Sequence, residues 1–125
     1  MNGNKSVTLI FGAYYSHKHI YRTCKKLNKK FKIIVVENSL DKKFKQDIEK
    51  KYKNTKVIIP EKNVGLAKSY NIGIQNSKTK YVYLNCPDID ISNKSLDDLV
   101  DCAEKLKNFC ILAPNFQDTS IFQNY

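Results

Sequence analysis

Two aspartates separated by a single residue are the clearest candidates for chemistry in this sequence. Asp88 and Asp90 follow the apolar stretch 81–84, which is typical of a buried strand, after the short link 85–87. Carboxylates just beyond the carboxyl end of a strand can share a divalent cation, and their hard oxygen atoms suit Mg²⁺ or Mn²⁺. Such a cation can in turn hold a diphosphate. Asp-x-Asp pairs are also common in solvated turns, so the metal interpretation depends on what the fold places beside them.

Strand-like and helix-like stretches alternate along the chain and must position these carboxylates. Apolar runs predict strands at residues 7–13, 31–36, 56–59, 81–84 and 109–113. Apolar residues at helical spacing predict helices that begin near residues 16, 39–41, 63 and 95. Short alternating units of this kind form a mostly parallel sheet with helices on both faces. We therefore predict one α/β domain over residues 1–125, with an irregular tail at 115–125.

Polar or aromatic residues follow each of the first four predicted strands, in segments 12–15, 37–39, 61–65 and 85–90. In an open parallel sheet, ligands bind beyond the carboxyl ends of the strands, so these segments should meet at one edge. They contribute carboxylates, amides, a glycine, a lysine and aromatic rings. This set suits a nucleotide diphosphate, with a ring to stack on the base, a carboxylate for the base or ribose, and a metal for the phosphates.

The other common phosphate-binding motifs are missing from the sequence. No G-x-G-x-x-G follows the first predicted strand, and no G-x-x-x-x-G-K-[ST] occurs anywhere. Metal-mediated phosphate binding is therefore the favoured interpretation.

The chain is strongly basic, with a formal net charge of +10, and among its basic residues Arg22 is the single arginine. Arginine is the residue expected where phosphates or bases are bound bidentately, so scattered lysines argue against specific nucleic-acid recognition. The charge favours anionic ligands or an acidic membrane surface. The sequence has no apolar run of about 18 residues and no apolar signal region at its start. We therefore expect a cytoplasmic protein, with peripheral association at the inner face of the membrane left open.

The four cysteines have no C-x-x-C spacing, which argues against a zinc site or a disulfide framework. Cys24 and Cys102 fall on the apolar faces of predicted helices, and Cys110 falls in a predicted strand. We expect these three thiols to be buried and reduced.

Four segments match a known family in order and approximate spacing: VTLIFGAY at 7–14, IIVVENS at 33–39, NVGLAKSYNIGI at 63–74 and YVYLNCPD at 81–88. They resemble family 2 glycosyltransferases of the GT-A fold, and most closely the rhamnosyltransferase-like branch. The resemblance covers about residues 7–115. It implies the Rossmann-like, nucleotide-sugar-binding half of a GT-A enzyme.

The resemblance implies roles for individual residues. Glu37 occupies the position of an aspartate that contacts the base or ribose, and Asp88 that of the aspartate that meets the metal and the diphosphate. The resulting nucleotide-sugar-binding set is Ala13, Tyr14, Glu37, Asn63, Gly65 and Asn85, and the metal-binding set is Asp88 and Asp90. Asn63 also fits an ordinary helix N-cap, and Gly65 also fits close packing of a helix on the sheet.

The sequence also departs from the family pattern. Cys86 resembles a one-residue insertion, which leaves open whether Asp88, Asp90 or both meet the metal. His17 and His19, at the start of the first predicted helix, are expected to be exposed. The acceptor-binding half of the family, with its general base, has no counterpart in the sequence, so the catalytic base is unassigned.

The function implied by the resemblance is transfer of a sugar from a UDP- or dTDP-sugar to a hydroxyl of a glycan or lipid-linked acceptor, assisted by Mn²⁺ or Mg²⁺, in cell-surface glycan or polysaccharide synthesis. One alternative is a non-catalytic α/β domain that binds nucleotides without turnover. A weaker alternative, suggested by the charge, is a basic nucleic-acid-binding module.

Overall fold

The structure, a computed structural model, describes residues 6–27 and 30–114, so the predicted irregular tail at 115–125 lies outside the described residues. Strands and helices alternate from β1 to α4, as the sequence predicts. Their bounds are β1 Val7–Ala13, α1 His17–Leu27, β2 Lys32–Glu37, α2 Lys42–Lys51, β3 Thr55–Ile58, α3 Leu66–Asn76, β4 Tyr81–Asn85 and α4 Asn93–Lys105. No described helix has the length and apolar character needed to cross a membrane.

The strands form a parallel sheet in the order β3-β2-β1-β4. Strand β1 lies between β2 and β4, and its Phe11 is in register with Val35 on one side and Asn85 on the other. Because all four strands run the same way, their carboxyl ends meet at one edge of the sheet. The chain passes from β1 to β2 and β3 on one side and returns to β4 on the other, which makes this edge a topological switch point. The α/β prediction is confirmed.

One face of the sheet carries the main core. Alternate residues of a strand point to the same face, so Leu9 and Phe11 of β1 share it with Ile33 and Val35 of β2. Helices α1, α2 and α4 cover this face with apolar residues at helical spacing. The buried members are Ile20, Cys24 and Leu27 of α1, Phe44 and Ile48 of α2, and Leu96 and Val100 of α4.

Helix α3 packs on the opposite face at very short range. A Cβ atom added to Gly73 would lie 2.2 Å from Cγ2 of Ile10, and one added to Gly12 would lie 2.8 Å from Cδ1 of Leu66. Real side-chain atoms do not approach this closely, so glycine at both positions lets α3 lie directly on β1. This close packing fixes the first turn of α3 beside the carboxyl end of β1.

The predicted fifth strand is wrong. Residues 109–114 are described and contain no strand. Phe109 stacks on the ring of Tyr81 with centroids 6.2 Å apart, while Ile111 is 87% exposed. The segment thus lies beside β4 through side-chain contact without joining the backbone ladder, although its apolar run is typical of a strand.

Two of the three thiol predictions are also wrong. Cys24 is buried as expected, whereas Cys102 and Cys110 are exposed. Leu96, Val100 and Ala103 define the buried face of α4, and Cys102 lies outside this stripe. Cys110 is exposed because the strand that would have buried it does not form.

Candidate functional site

The carboxyl ends of β1 and β2 form one corner of the candidate site. Ala13 is in register with Glu37, and its carbonyl oxygen accepts a hydrogen bond from the backbone N–H of Asn38 at 2.8 Å. Tyr14 and Tyr15 follow β1, are exposed, and form an edge-to-face pair with ring centroids 4.5 Å apart. Ala13 itself is buried, so the exposed side chains at the end of β1 are those of Tyr14 and Tyr15, which follow the strand directly.

Glu37 is fully buried, which the sequence did not indicate. Its Oε1 accepts hydrogen bonds from the hydroxyl and the backbone N–H of Ser39, the latter at 2.7 Å. Its Oε2 lies 3.2 Å from Nε2 of His17. Both of these atoms are buried and neither makes a hydrogen bond of good geometry within the described part of the chain. A buried carboxylate is costly unless it is paired, and the partners that surround Glu37 are the donors of Ser39 at Oε1 and the imidazole of His17 at Oε2.

His17 is held from three sides, and the expectation that it is simply exposed is wrong. Its ring stacks on Phe44 with centroids 4.1 Å apart and planes 5° apart, and its Nδ1 lies 3.8 Å from Oδ2 of Asp41. Asp41 is itself fixed as the N-cap of α2, because its Oδ1 accepts a hydrogen bond from the N–H of Phe44 at 2.9 Å. The position of His17 as the first residue of α1, at the carboxyl edge of the sheet, is the sequence signal that could have placed it in the site.

Asn38 ties this corner to the loop before α3 and was not among the predicted site residues. It is 5% exposed; its side-chain amide donates to Oγ of Ser69 at 2.8 Å, and its Oδ1 accepts from the N–H of Val64 at 3.0 Å. The hydroxyl of Ser69 in turn donates to the carbonyl of Gly65 at 2.7 Å. The end of β2, the loop and the first turn of α3 therefore share one buried hydrogen-bond network.

The loop that contains Asn63 and Gly65 leads into α3, whose N-terminus has no side-chain cap. Oδ1 of Asn63 accepts from the N–H of Gly65 at 2.9 Å, and Gly65 has φ of +78°, a conformation that favours glycine. Gly65, not Asn63, is the N-cap of α3, and no side chain caps the helix. The first N–H groups of α3 are therefore left for solvent or an anion, which the helix dipole favours.

Replacement of Asn38 by alanine should destabilise the chain by about 1–2 kcal/mol, because the N–H of Val64 loses its acceptor and the buried hydroxyl of Ser69 loses the hydrogen bond that it accepts. The free energy of unfolding, measured by urea denaturation, checks this. Asn63→Ala is the matched control, since Asn63 is exposed and makes a single hydrogen bond within its own loop. Equal effects of the two substitutions would contradict the structural role given to Asn38.

The turn after β4 separates the two aspartates. Asn85 is buried and its side-chain amide donates to the carbonyl of Ile89 at 3.1 Å, which closes the turn that carries Asp88. Asp88 is exposed and makes no hydrogen bond or ion pair within residues 6–27 and 30–114. Asp88 interacts electrostatically with Tyr70 of α3. Burial raises the pKa of the Tyr70 hydroxyl, and the hydrogen bond to the Cys86 thiol and the charges of Cys86 and Asp88 raise it further.

Asp90 faces a different element. Its two carboxylate oxygens lie 3.5 Å from Nη2 of Arg22 and 3.5 Å from Nζ of Lys26, both on α1. The structure thus brings Asp88 towards α3 and pairs Asp90 with the cations of α1. Of the two aspartates, Asp88 is therefore the one with an unengaged carboxylate within the described residues.

The described residues contain no group of three or more His, Cys, Asp or Glu side chains that could hold a metal ion by themselves. Mg²⁺ is commonly bound through one or two protein carboxylates, with the remaining ligands supplied by water and substrate phosphates. The unpaired carboxylate of Asp88 fits this mode of Mg²⁺ binding. The paired carboxylate of Asp90 fits it less well, because a cation would first have to displace Arg22 and Lys26.

The parallel sheet, its switch point and the polar groups at its carboxyl edge define a Rossmann-like α/β domain of the GT-A type. The family model "Glycosyl transferase family 2" matches residues 9–119, and the chain belongs to that family. No curated protein matches the chain. The family assignment confirms the resemblance at the level of the family.

Proposed function

We propose that the chain is the donor-binding part of a glycosyltransferase that uses a UDP- or dTDP-sugar. The observation that carries the proposal is that the carboxyl edge of the sheet has two separate places where unpaired or exposed groups are available to a ligand. One corner has exposed aromatic rings directly after β1 and the buried Glu37 at the end of β2. The other has the unengaged carboxylate of Asp88, which interacts electrostatically with Tyr70 of α3, a helix whose N-terminus has no side-chain cap. A nucleoside suits the first corner and a diphosphate the second.

The chain's own groups would bind and orient the donor. The N–H groups at the start of α3 would donate to phosphate oxygens, and the φ of Gly65 exposes them without a side chain in the way. Asp88, together with the diphosphate, would hold a Mn²⁺ or Mg²⁺ ion. When bound, such an ion neutralises the charge that develops on a departing nucleoside diphosphate. Metal binding by Asp90 is the alternative to this assignment, and it would require the cation to displace Arg22 and Lys26.

The finer features of the proposal rest on the sequence. The resemblance of the four segments to the rhamnosyltransferase-like branch implies a glycan or lipid-linked acceptor in polysaccharide synthesis, and we propose both the branch and this class of acceptor. The net charge of +10 supports association with an acidic membrane surface, and we propose a cytoplasmic location at the inner face of the membrane. We propose residues 1–125 as one donor-binding domain.

Binding of UDP tests the proposal directly. Isothermal titration calorimetry with Mn²⁺ should show one site per chain, and removal of the metal with EDTA should weaken the affinity by about tenfold or more, because phosphate oxygens lose the cation that holds them to Asp88. UMP is the matched control ligand, since it lacks the second phosphate. Equal UDP affinity with and without EDTA would contradict the metal role, and no binding at all would contradict the donor site.

A nucleotide-binding domain without turnover is the second candidate. One observation favours it: at the carboxyl edge, Glu37 is engaged by His17 and Ser39, and Asp90 by α1. Asp88, to which we assign the metal, and the exposed Glu61 in the loop after β3 are the described carboxylates there without a side-chain partner, and no contact orients Glu61 as a general base. Release of UDP from a panel of UDP-sugars, abolished in Asp88→Asn, would rule this candidate out.

A further inference from the structure

We propose that His17 is the residue that contacts the nucleobase at the β2 corner, and that Glu37 acts behind it as a positioning residue. The inference rests on the proposed nucleotide-binding function and deepens it. It replaces direct contact by Glu37, the role implied by the family resemblance, with contact by a side chain that follows β1.

The burial of the two side chains decides which of them a ligand meets. The Glu37 side chain is 0% exposed, whereas that of His17 is 30% exposed. Oε2 of Glu37 lies behind Nε2 of His17 at 3.2 Å, and Oε1 is taken by Ser39. A ligand that enters this corner therefore reaches the imidazole while the carboxylate stays covered.

The contacts around His17 leave one face of its ring available to a ligand. One face of the ring lies against Phe44, and Nε2 is buried against Glu37. No second aromatic ring among the described residues contacts His17, so the face opposite Phe44 is the one available for stacking. A ring fixed in this manner loses little conformational entropy when a flat group stacks on it, which is what makes a preorganised contact effective.

The charges around His17 select the base over the phosphates. Glu37 and Asp41 flank the ring at 3.2 Å and 3.8 Å, so two carboxylates lie directly beside it. A diphosphate would be repelled by these carboxylates, whereas a neutral pyrimidine would not. Tyr14 and Tyr15, which precede His17 in the chain, add exposed aromatic surface at the same end of β1. Aromatic side chains stack on bases with little dependence on sequence.

The imidazole signals of the full chain provide a test that needs no disruptive substitution. The chain has two histidines, so the nitrogen resonances of His17 can be assigned by comparison with His19→Gln. Uridine or thymidine, which lack phosphate, should shift the His17 resonances and leave those of His19 in place, and pyrophosphate should not shift His17. An unchanged His17 signal at saturating UDP, or an equal shift with pyrophosphate, would overturn the proposal.

Two substitutions separate stacking from simple support of the fold. His17→Gln keeps an N–H donor for Glu37 but removes the aromatic face, and it should weaken UDP binding about tenfold while leaving pyrophosphate affinity unchanged. His17→Phe combined with Glu37→Gln restores an aromatic face without a buried unpaired carboxylate, and it should recover most of that affinity. His19→Gln is the matched control and should bind UDP like the unsubstituted chain.

The outcomes distinguish this inference from the function on which it rests. If the unsubstituted chain binds neither UDP nor the nucleosides, both are overturned. If it binds UDP and His17→Gln binds equally well or more tightly, the proposed function stands and the role of His17 is overturned. If His17→Gln does not fold, as judged by circular dichroism, the imidazole signals of the unsubstituted chain decide alone.

Discussion

Replacement of Gly73 by alanine should destabilise the chain by about 3 kcal/mol, the upper end of the range for inserting a methyl group into a packed core. This expected change in the free energy of unfolding is opposite in sign to the usual one, because replacing glycine by alanine inside a helix normally stabilises a protein by about 0.5–1 kcal/mol. At Gly73 the new methyl group would lie 2.2 Å from Cγ2 of Ile10, so α3 would have to lift away from β1. Urea denaturation measures the free energy of unfolding that decides between these two effects.

A double-mutant cycle with Ile10→Ala isolates the contact. Ile10→Ala opens a cavity at the place where the methyl group added at position 73 would lie, so Gly73→Ala should cost far less in that background than in the unsubstituted chain. Gln75→Ala is the control, because Gln75 is exposed on the same helix. If Gly73→Ala stabilised the chain as a simple propensity change does, the close packing of α3 on β1 would be refuted.

Replacement of Asp88 by asparagine should weaken Mn²⁺-dependent UDP binding by about 10- to 100-fold, the range seen when groups that support a metal site are removed. Asparagine has nearly the same size as aspartate but lacks the charge that attracts the cation. The exposed, unpaired state of Asp88 means that the folded structure should tolerate the change, so the effect should appear in affinity and not in stability. Calorimetry with UDP and Mn²⁺ gives the affinity, and thermal denaturation gives the stability.

Asp90→Asn is the matched control for Asp88→Asn. It removes the same charge two positions later, but from a carboxylate paired with Arg22 and Lys26. Exposed ion pairs of this kind contribute about 0–1 kcal/mol, so a small loss of stability and less than about threefold loss of UDP affinity are expected. A loss as large as that of Asp88→Asn would show that both aspartates serve the metal, and that the α1 pairing gives way when ligand binds.

The alternation of strands and helices could be predicted because each element carries its own apolar period. Residues 109–113 show the limit of that signal. Their apolar run is typical of a strand, but a strand forms only where a neighbour supplies backbone hydrogen bonds, and Phe109 reaches β4 through its ring instead. Sequence periodicity reports which residues prefer burial and says nothing of which edge is available.

The candidate site could be predicted only in part, for a related reason. The position after a strand located Glu37 and Asp88 at the correct edge of the sheet. Whether a carboxylate at this edge is buried or paired depends on contacts between distant parts of the chain, such as Glu37 with His17 and Asp90 with Arg22. Such pairs have no local spacing that a single sequence displays. The burial of Glu37 and the engagement of Asp90 therefore emerge only in three dimensions.

The hydrogen bonds of Asn38 link the two corners of the edge mechanically. Asn38 follows Glu37 directly, yet its side chain holds Val64 and Ser69 at the start of α3. A base that immobilises the β2 corner would therefore also reduce the freedom of the phosphate corner, so part of the entropic cost of the second contact is already met by the first. A linkage of this kind makes the two halves of one ligand cooperative, and a whole nucleoside diphosphate would bind more tightly than its separate parts imply.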